Sequence, residues 1–305
     1  MSAMTPMPIT GAPGPGEAGI ADVAAAAPSW RDFWRRFRRN RLAVVGLVIL
    51  VFLLFVAVFA DLLAPYSYTE RPRSATSAPS WDHPFGTDLI GRDIMSRVIY
   101  GARISLRIGI IATLISMVIG VTLGAVAGFF GGFSDTFITR LTDVFLSIPY
   151  IVLAIAIASI YGRSENSVII ILGLTGWLGT VRIVRASFLS LKEQEFVEAA
   201  TALGFGRARV MFRHILPNAI QPIIVYETIA IGSVILAEAA LSFLGAGPTD
   251  PTPAWGLMVA TAKGRLAPAP YELLFPGAAI VITVLAFMLI GDGLRDALDP
   301  KLKDR

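Results

Sequence analysis

Six long apolar runs punctuate this chain, each bounded by charge, proline or arginine clusters. Residues 42–60 carry no charge and stop at Asp61, and residues 108–134 are uncharged over more than one bilayer crossing. The third run, 144–162, lies between Asp143 and Arg163, and the fourth, 166–181, between Glu165 and Arg182. That fourth run is short for the roughly 20 residues a crossing needs, but Arg182 and Arg185 can snorkel. A fifth run covers 218–244 and is interrupted by Glu227 and Glu238. The sixth covers 273–291, between Glu272 and Asp292. Uninterrupted apolar segments of this length predict an all-α polytopic membrane protein with six transmembrane helices.

Composition agrees. Of 305 residues, 55% are hydrophobic and 16% charged, against about 25% charged in soluble domains. Cysteine is absent, which excludes disulfides, thiolate metal sites and a cysteine nucleophile. The two histidines, His83 and His214, are too far apart for a zinc-binding HExxH motif, and no glycine-rich loop ends in Gly-Lys-Ser/Thr. Hydrolytic enzymes and self-contained ATPases are poor readings of such a chain. Its net charge of +4 comes from arginines near the membrane ends, so nucleic acid is not the implied partner.

The runs divide the chain. Residues 1–28 are Ala-, Pro- and Gly-rich and predict a disordered tail. Residues 29–41 interleave arginines with Trp30, Phe33, Trp34 and Phe37. Those aromatics can sit at headgroup depth while the arginines meet anionic membrane lipid, or the segment is a topology anchor alone. A first transmembrane helix over 42–63, an extracytoplasmic loop over 64–103 and a five-helix core over 104–292 follow, with a cytoplasmic loop at 190–217 and a cytoplasmic tail at 293–305. Most of the 26 Lys and Arg residues fall inside if both termini are cytoplasmic, although Arg71, Arg73, Arg92, Arg97 and Arg103 do not. The proline-bearing segments 64–103 and 245–271 are long enough to contact a partner.

Within the membrane, Gly120, Gly124 and Gly128 recur every four residues and predict a close helix–helix contact. Glu227 and Glu238 are eleven positions apart and share a helix face. A carboxylate within a span is costly unless it meets water or a partner, so both are translocation-path candidates. The alternative has each satisfied by Ser233, Ser242 or a neighbouring helix.

The segment between the fourth and fifth runs has a different character. Phe196, Val197, Ala200 and Leu203 predict a short helix with one apolar face, and Gly204 permits the left-handed residue that ends it. A basic helix over 207–214 then runs to Leu216 and Pro217, and Pro217 suits the first turn of the next span. A compact helical knob of this kind suits insertion into a groove on a soluble partner.

Here the sequence resembles the permease subunits of binding-protein-dependent ABC importers. Their signature is Glu-Ala-Ala, three residues, Gly, nine residues, Ile, any residue, Leu-Pro. This chain has Glu198, Ala199, Ala200, Gly204, Leu216 and Pro217 at that spacing, with His214 in the isoleucine position and Ile215 beside it. Residues 83–106, residues 236–245 and the Pro-Ala-Trp-Gly run at 253–256 are similar to the dipeptide/oligopeptide/nickel branch, closest to its second permease subunit.

The resemblance implies a type I importer fold in a bacterial inner membrane. It implies that residues 192–217 couple the permease to an ATPase, through Glu198, Ala199, Ala200, Gly204, Leu216 and Pro217. Four partners follow: a homologous first permease subunit, two ATPase subunits carrying ATP and Mg, and an extracytoplasmic substrate-binding protein. Substrate would pass by alternating access, with no cofactor in this chain. Peptides are the substrate class so implied, and nickel and glutathione importers share the branch. An ion-coupled secondary transporter using Glu227 and Glu238, or a membrane-embedded enzyme, are the rivals from other classes.

Overall fold

The computed structural model describes residues 30–71 and 76–298. The tail expected over 1–28, and residues 299–305 of the expected C-terminal segment, lie outside the described residues. Helix α1 (Trp30–Arg39) ends at Asn40, whose extended backbone breaks the chain direction while its side chain accepts a hydrogen bond from Ala43 N at 3.1 Å. That cap starts α2 (Arg41–Val58), the first span, which a short α3 (Ala60–Leu63) follows.

Helix α4 (Ile94–Phe130) has 37 residues. At 1.5 Å per residue it is about 55 Å long, well beyond the roughly 30 Å hydrocarbon core. It starts inside the segment expected as loop up to residue 103. Asp93 sets that start, because its Oδ2 accepts from both Ser96 N and Ser96 Oγ at 2.7 Å. Arg97 and Arg103, which fall within the expected loop, are therefore helical.

Gly131 and Gly132, at φ +65° and +51°, turn the chain into α5 (Gly132–Ser147). Helix α6 (Tyr150–Tyr161) meets it at Ile148-Pro149 with a bend of 85°. Pro149 holds Ile148 extended (φ −96°, ψ 122°), so no straight helix can pass. The third expected span is thus a bent pair. Helices α7 (Glu165–Thr175) and α8 (Trp177–Leu191) together make a 27-residue apolar segment, longer than the 166–181 run.

Next come α9 (Glu195–Ala202), α10 (Arg207–Arg209), a π-helical stretch Val210–Ile215 and α11 (Leu216–Phe243). Helices α12 (Trp255–Ala262) and α13 (Tyr271–Leu298) complete the described chain, so helix continues past the expected core end at residue 292. Five helical segments are long and apolar enough to cross a membrane, or six where the bent pair counts as one span. No named strand occurs among the described residues; Thr87 and Asp93 form an isolated bridge.

Helix α4 lies at the centre, against α2, α7, α8 and α11. A β-carbon at Gly120, Gly124 or Gly128 would fall 2.4 Å from Thr180 Cβ, 2.7 Å from Val184 Cβ or 2.6 Å from Phe188 Cβ. The glycine stripe is where α8 lies directly on α4, the two running parallel. Helix α13 packs between α2 and α11.

Candidate functional site

The 192–217 segment stands at the end of the bundle where α4 and α8 finish. Helix α9 ends in a Schellman turn. Gly204, at φ +79°, donates to Thr201 O at 2.9 Å, and Phe205 N donates to Ala200 O at 3.2 Å. The space around a Gly204 β-carbon is open, so backbone conformation alone asks for glycine there. Val197 and Ala200 are buried on a cluster with Phe188, Val210, Met211 and Ile215. The expected single apolar face divides: Phe196 and Leu203 are exposed, Leu203 at 74%, and Phe212 joins them at 58%. Glu198 and Ala199 are exposed too, while Ala200 is covered. What the knob offers a partner is therefore the exposed apolar side chains Phe196, Leu203 and Phe212 together with the acidic Glu198.

The expected separate helix over 207–214 is instead continuous with α11 through the π-helical stretch. Proline at 217 has no N–H to give the preceding turn, and Leu216 N bonds to Met211 O, one residue further back than in an α-helix. His214, the departure from the signature, lies in this stretch. Its ring stacks on Phe205 at 5.5 Å, and the Arg209 guanidinium lies 4.7 Å from the same Phe205 ring. Leu216 is half-buried and Pro217 exposed in the first turn of α11.

Glu227 and Glu238 do share one face of α11, and both are covered, at 6% and 0% exposure. Thr180 Oγ1 of α8 donates to Glu227 Oε1 at 2.6 Å. Ser242 Oγ donates to Glu238 Oε1 at 2.7 Å, and Glu238 Oε2 has no hydrogen-bond partner among the described residues. Beside Glu227, Tyr226 lines a cavity of about 480 Å³ between α8, α11 and α13, with Gln221, Asp292 and Arg295 in its wall.

At the opposite end, the proline-bearing segments form one cross-linked cap that no short-range pattern announces. His83 Nδ1 lies 2.9 Å from Asp93 Oδ1, both residues buried. Arg92 bridges Asp88 and Asp250, each at 2.7 Å, tying the two segments together. Burial alone would pull the Arg92 guanidinium down, but the hydrogen bonds to Asp250 and Asp88 raise it above its ordinary value. Trp255 is 1% exposed, with Nε1 donating to Val98 O at 2.9 Å, whereas Trp81 is fully exposed. No cluster of His, Cys, Asp or Glu placed to hold a metal occurs among the described residues.

This chain belongs to the family described as binding-protein-dependent transport system inner membrane component, which matches residues 120–304. The N-terminal TM domain of oligopeptide transport permease C matches residues 29–79. It is 44% identical to the dipeptide transport system permease protein DppC of Alkalihalophilus pseudofirmus, over 95% of this chain and 96% of that one. It is 47% identical to the glutathione transport system permease protein GsiD of Salmonella typhimurium, over 90% of this chain and 91% of the other. The fold matches a chain of the inward-facing MetNI methionine ABC transporter with a TM-score of 0.56 and 17% identity, covering 68% of this chain and 98% of that one. The protein is thus an ABC importer permease subunit, a multi-pass inner-membrane component of a system whose ATPase activity resides on separate subunits.

Proposed function

We propose that this permease carries short peptides, as one half of a transmembrane pair with a homologous first subunit. The observation that carries this reading is the near full-length identity to a dipeptide permease, together with a glutathione permease of similar identity. Both names describe molecules built from amino acids, each with an ammonium and a carboxylate group. Family membership argues against ion-coupled transport.

In this reading both termini and the 192–217 knob face the cytoplasm, and the cap of Asp88, Arg92 and Asp250 faces an extracytoplasmic binding protein. Two partner ATPase subunits bind ATP and Mg and close on each other. The knob transmits that movement, with Glu198, Phe196 and Leu203 meeting the ATPase surface and Gly204 fixing the angle of the turn. A nucleotide biases the transporter only by binding one state better than the other, so its energy enters here. Glu227 stands behind the wall that Tyr226 presents to the cavity, and acts on the path through the contact of α8 with α11.

The test is ATP-dependent uptake in proteoliposomes holding the complete complex and its binding protein. A labelled dipeptide, glutathione and nickel ion are offered in turn. Dipeptide or glutathione uptake that stops without ATP supports the reading. Nickel uptake with neither peptide transported overturns the substrate class.

A further inference from the structure

We propose that α1 is a docking site for anionic phospholipid headgroups, and that it holds them chiefly by charge. Helix α1 precedes the first span with only Asn40 between them, which puts it at the edge of the bilayer. Its two faces differ sharply. Arg31, Arg35, Arg38 and Arg39 follow at i, i+4, i+7 and i+8, so they share a face, and all four are exposed. Phe33, Trp34 and Phe37 occupy the other side.

An interfacial helix ordinarily buries such an aromatic face in the acyl chains. This one does not. Phe37 is 3% exposed and packs on Ala43 and Ala297, with Phe33, Trp34, Leu47 and Leu294 around it. Trp34 and Phe37 stack at 5.8 Å. Gly293 allows the approach, because a β-carbon there would fall 2.1 Å from Ala43 Cβ and 3.1 Å from the Phe37 ring. Asn40 Nδ2 donates to Asp296 Oδ2 at 3.0 Å and completes the junction with α13. Phe37 is spent on the protein, Phe33 and Trp34 stay half-buried beside it, and α1 is clamped with its arginine face outward. Asp32 engages Arg35 at 2.7 Å, and Arg38 lies over the Trp34 ring at 4.8 Å, which orders two of the four guanidinium groups. What the helix chiefly offers the bilayer is a clamped cationic strip. Such a contact recognises headgroup charge and is screened by salt.

The test uses the full chain reconstituted in phosphatidylcholine vesicles with about 30% phosphatidylglycerol, reading the preference for spin-labelled phosphatidylglycerol over spin-labelled phosphatidylcholine. Each arginine near a surface contributes about a fivefold electrostatic preference. The triple variant Arg31→Gln, Arg38→Gln, Arg39→Gln should therefore lose at least about tenfold of the preference. Lysine at the same three positions keeps the charge and should retain most of it. Raising salt to about 0.5 M should abolish the wild-type preference. A preference that survives in the glutamine variant, survives high salt, or disappears equally in the lysine variant overturns the proposal. Should the glutamine variant insert poorly, the lysine variant and the salt series decide. If the glutamine variant keeps its lipid preference but releases the ATPase subunits, the arginines serve a protein partner and the proposal fails.

Discussion

Thr180 and Glu227, one on α8 and the other on α11, share a 2.6 Å hydrogen bond while Thr180 Cβ presses on Gly120 of α4. Three helices therefore converge on one threonine. Glu227 is 6% exposed, so its carboxylate relies on that donor. Replacing Thr180 with Val keeps the shape and removes the donor, which should destabilise the protein by about 1–3 kcal/mol. Glu227→Gln should cost less, since the amide oxygen still accepts. A double-mutant cycle on thermal unfolding in detergent measures the coupling, and additive effects would break the tie between these residues.

Gly204 has open space around it and a positive φ of +79°, so a larger side chain there meets strain and no clash. Gly204→Val should cost roughly 1–2 kcal/mol locally and tilt α9 against the buried Met211 and Ile215. The expected variant inserts normally but no longer couples ATP hydrolysis to uptake. Ligand-stimulated ATPase activity of the reconstituted complex reads this directly. Wild-type stimulation would return Gly204 to a plain turn, and loss of expression would mark a folding role.

A β-carbon on Gly124 would fall 2.7 Å from Val184 Cβ and 2.8 Å from Val181 O, so the neighbour to be displaced includes backbone. Gly124→Ala should lower stability by about 1–3 kcal/mol through overpacking. Val184→Ala on the same background should recover part of it. Thermal melts of the three variants give the answer, and an unchanged melting temperature in Gly124→Ala would mean that the two helices are not held this closely.

Trp81 and Trp255 make opposite predictions for the cap. Trp81 is fully exposed and Trp255 is 1% exposed. The chain has no cysteine, so a single introduced one reports its own surroundings. Trp81→Cys should crosslink to the substrate-binding protein, and Trp255→Cys should destabilise the cap without crosslinking. Capture of only lipid or the sister permease from position 81 would make the cap scaffolding.

Much of the candidate site was legible beforehand where a local rule governs it. Gly204 and its turn follow from the intolerance of a left-handed residue for a β-carbon, and the Schellman hydrogen bonds bear that out. The face that α9 presents was not legible. Phe196, Val197, Ala200 and Leu203 have equal claims by periodicity, and only packing against Phe188 and Ile215 covers two of them and leaves two outside. Likewise, an ordered cap needs Arg92 to find Asp250, a residue far along the chain whose proximity no short window contains.

The chain's amino-acid order alone determined that there are several apolar crossings, that Gly120, Gly124 and Gly128 form a contact stripe, and that a helical knob interrupts the later spans. Each of these rests on free energies that add up over neighbouring residues: transfer of apolar groups into lipid, the spacing of small side chains on one helix, the backbone freedom of glycine. Tertiary structure decided the rest. It extended α8 to Leu191, turned Phe37 onto α13 and gave Glu227 its donor on α8. Those outcomes depend on which distant surfaces meet, and the energy of a meeting belongs to the pair of surfaces rather than to either segment.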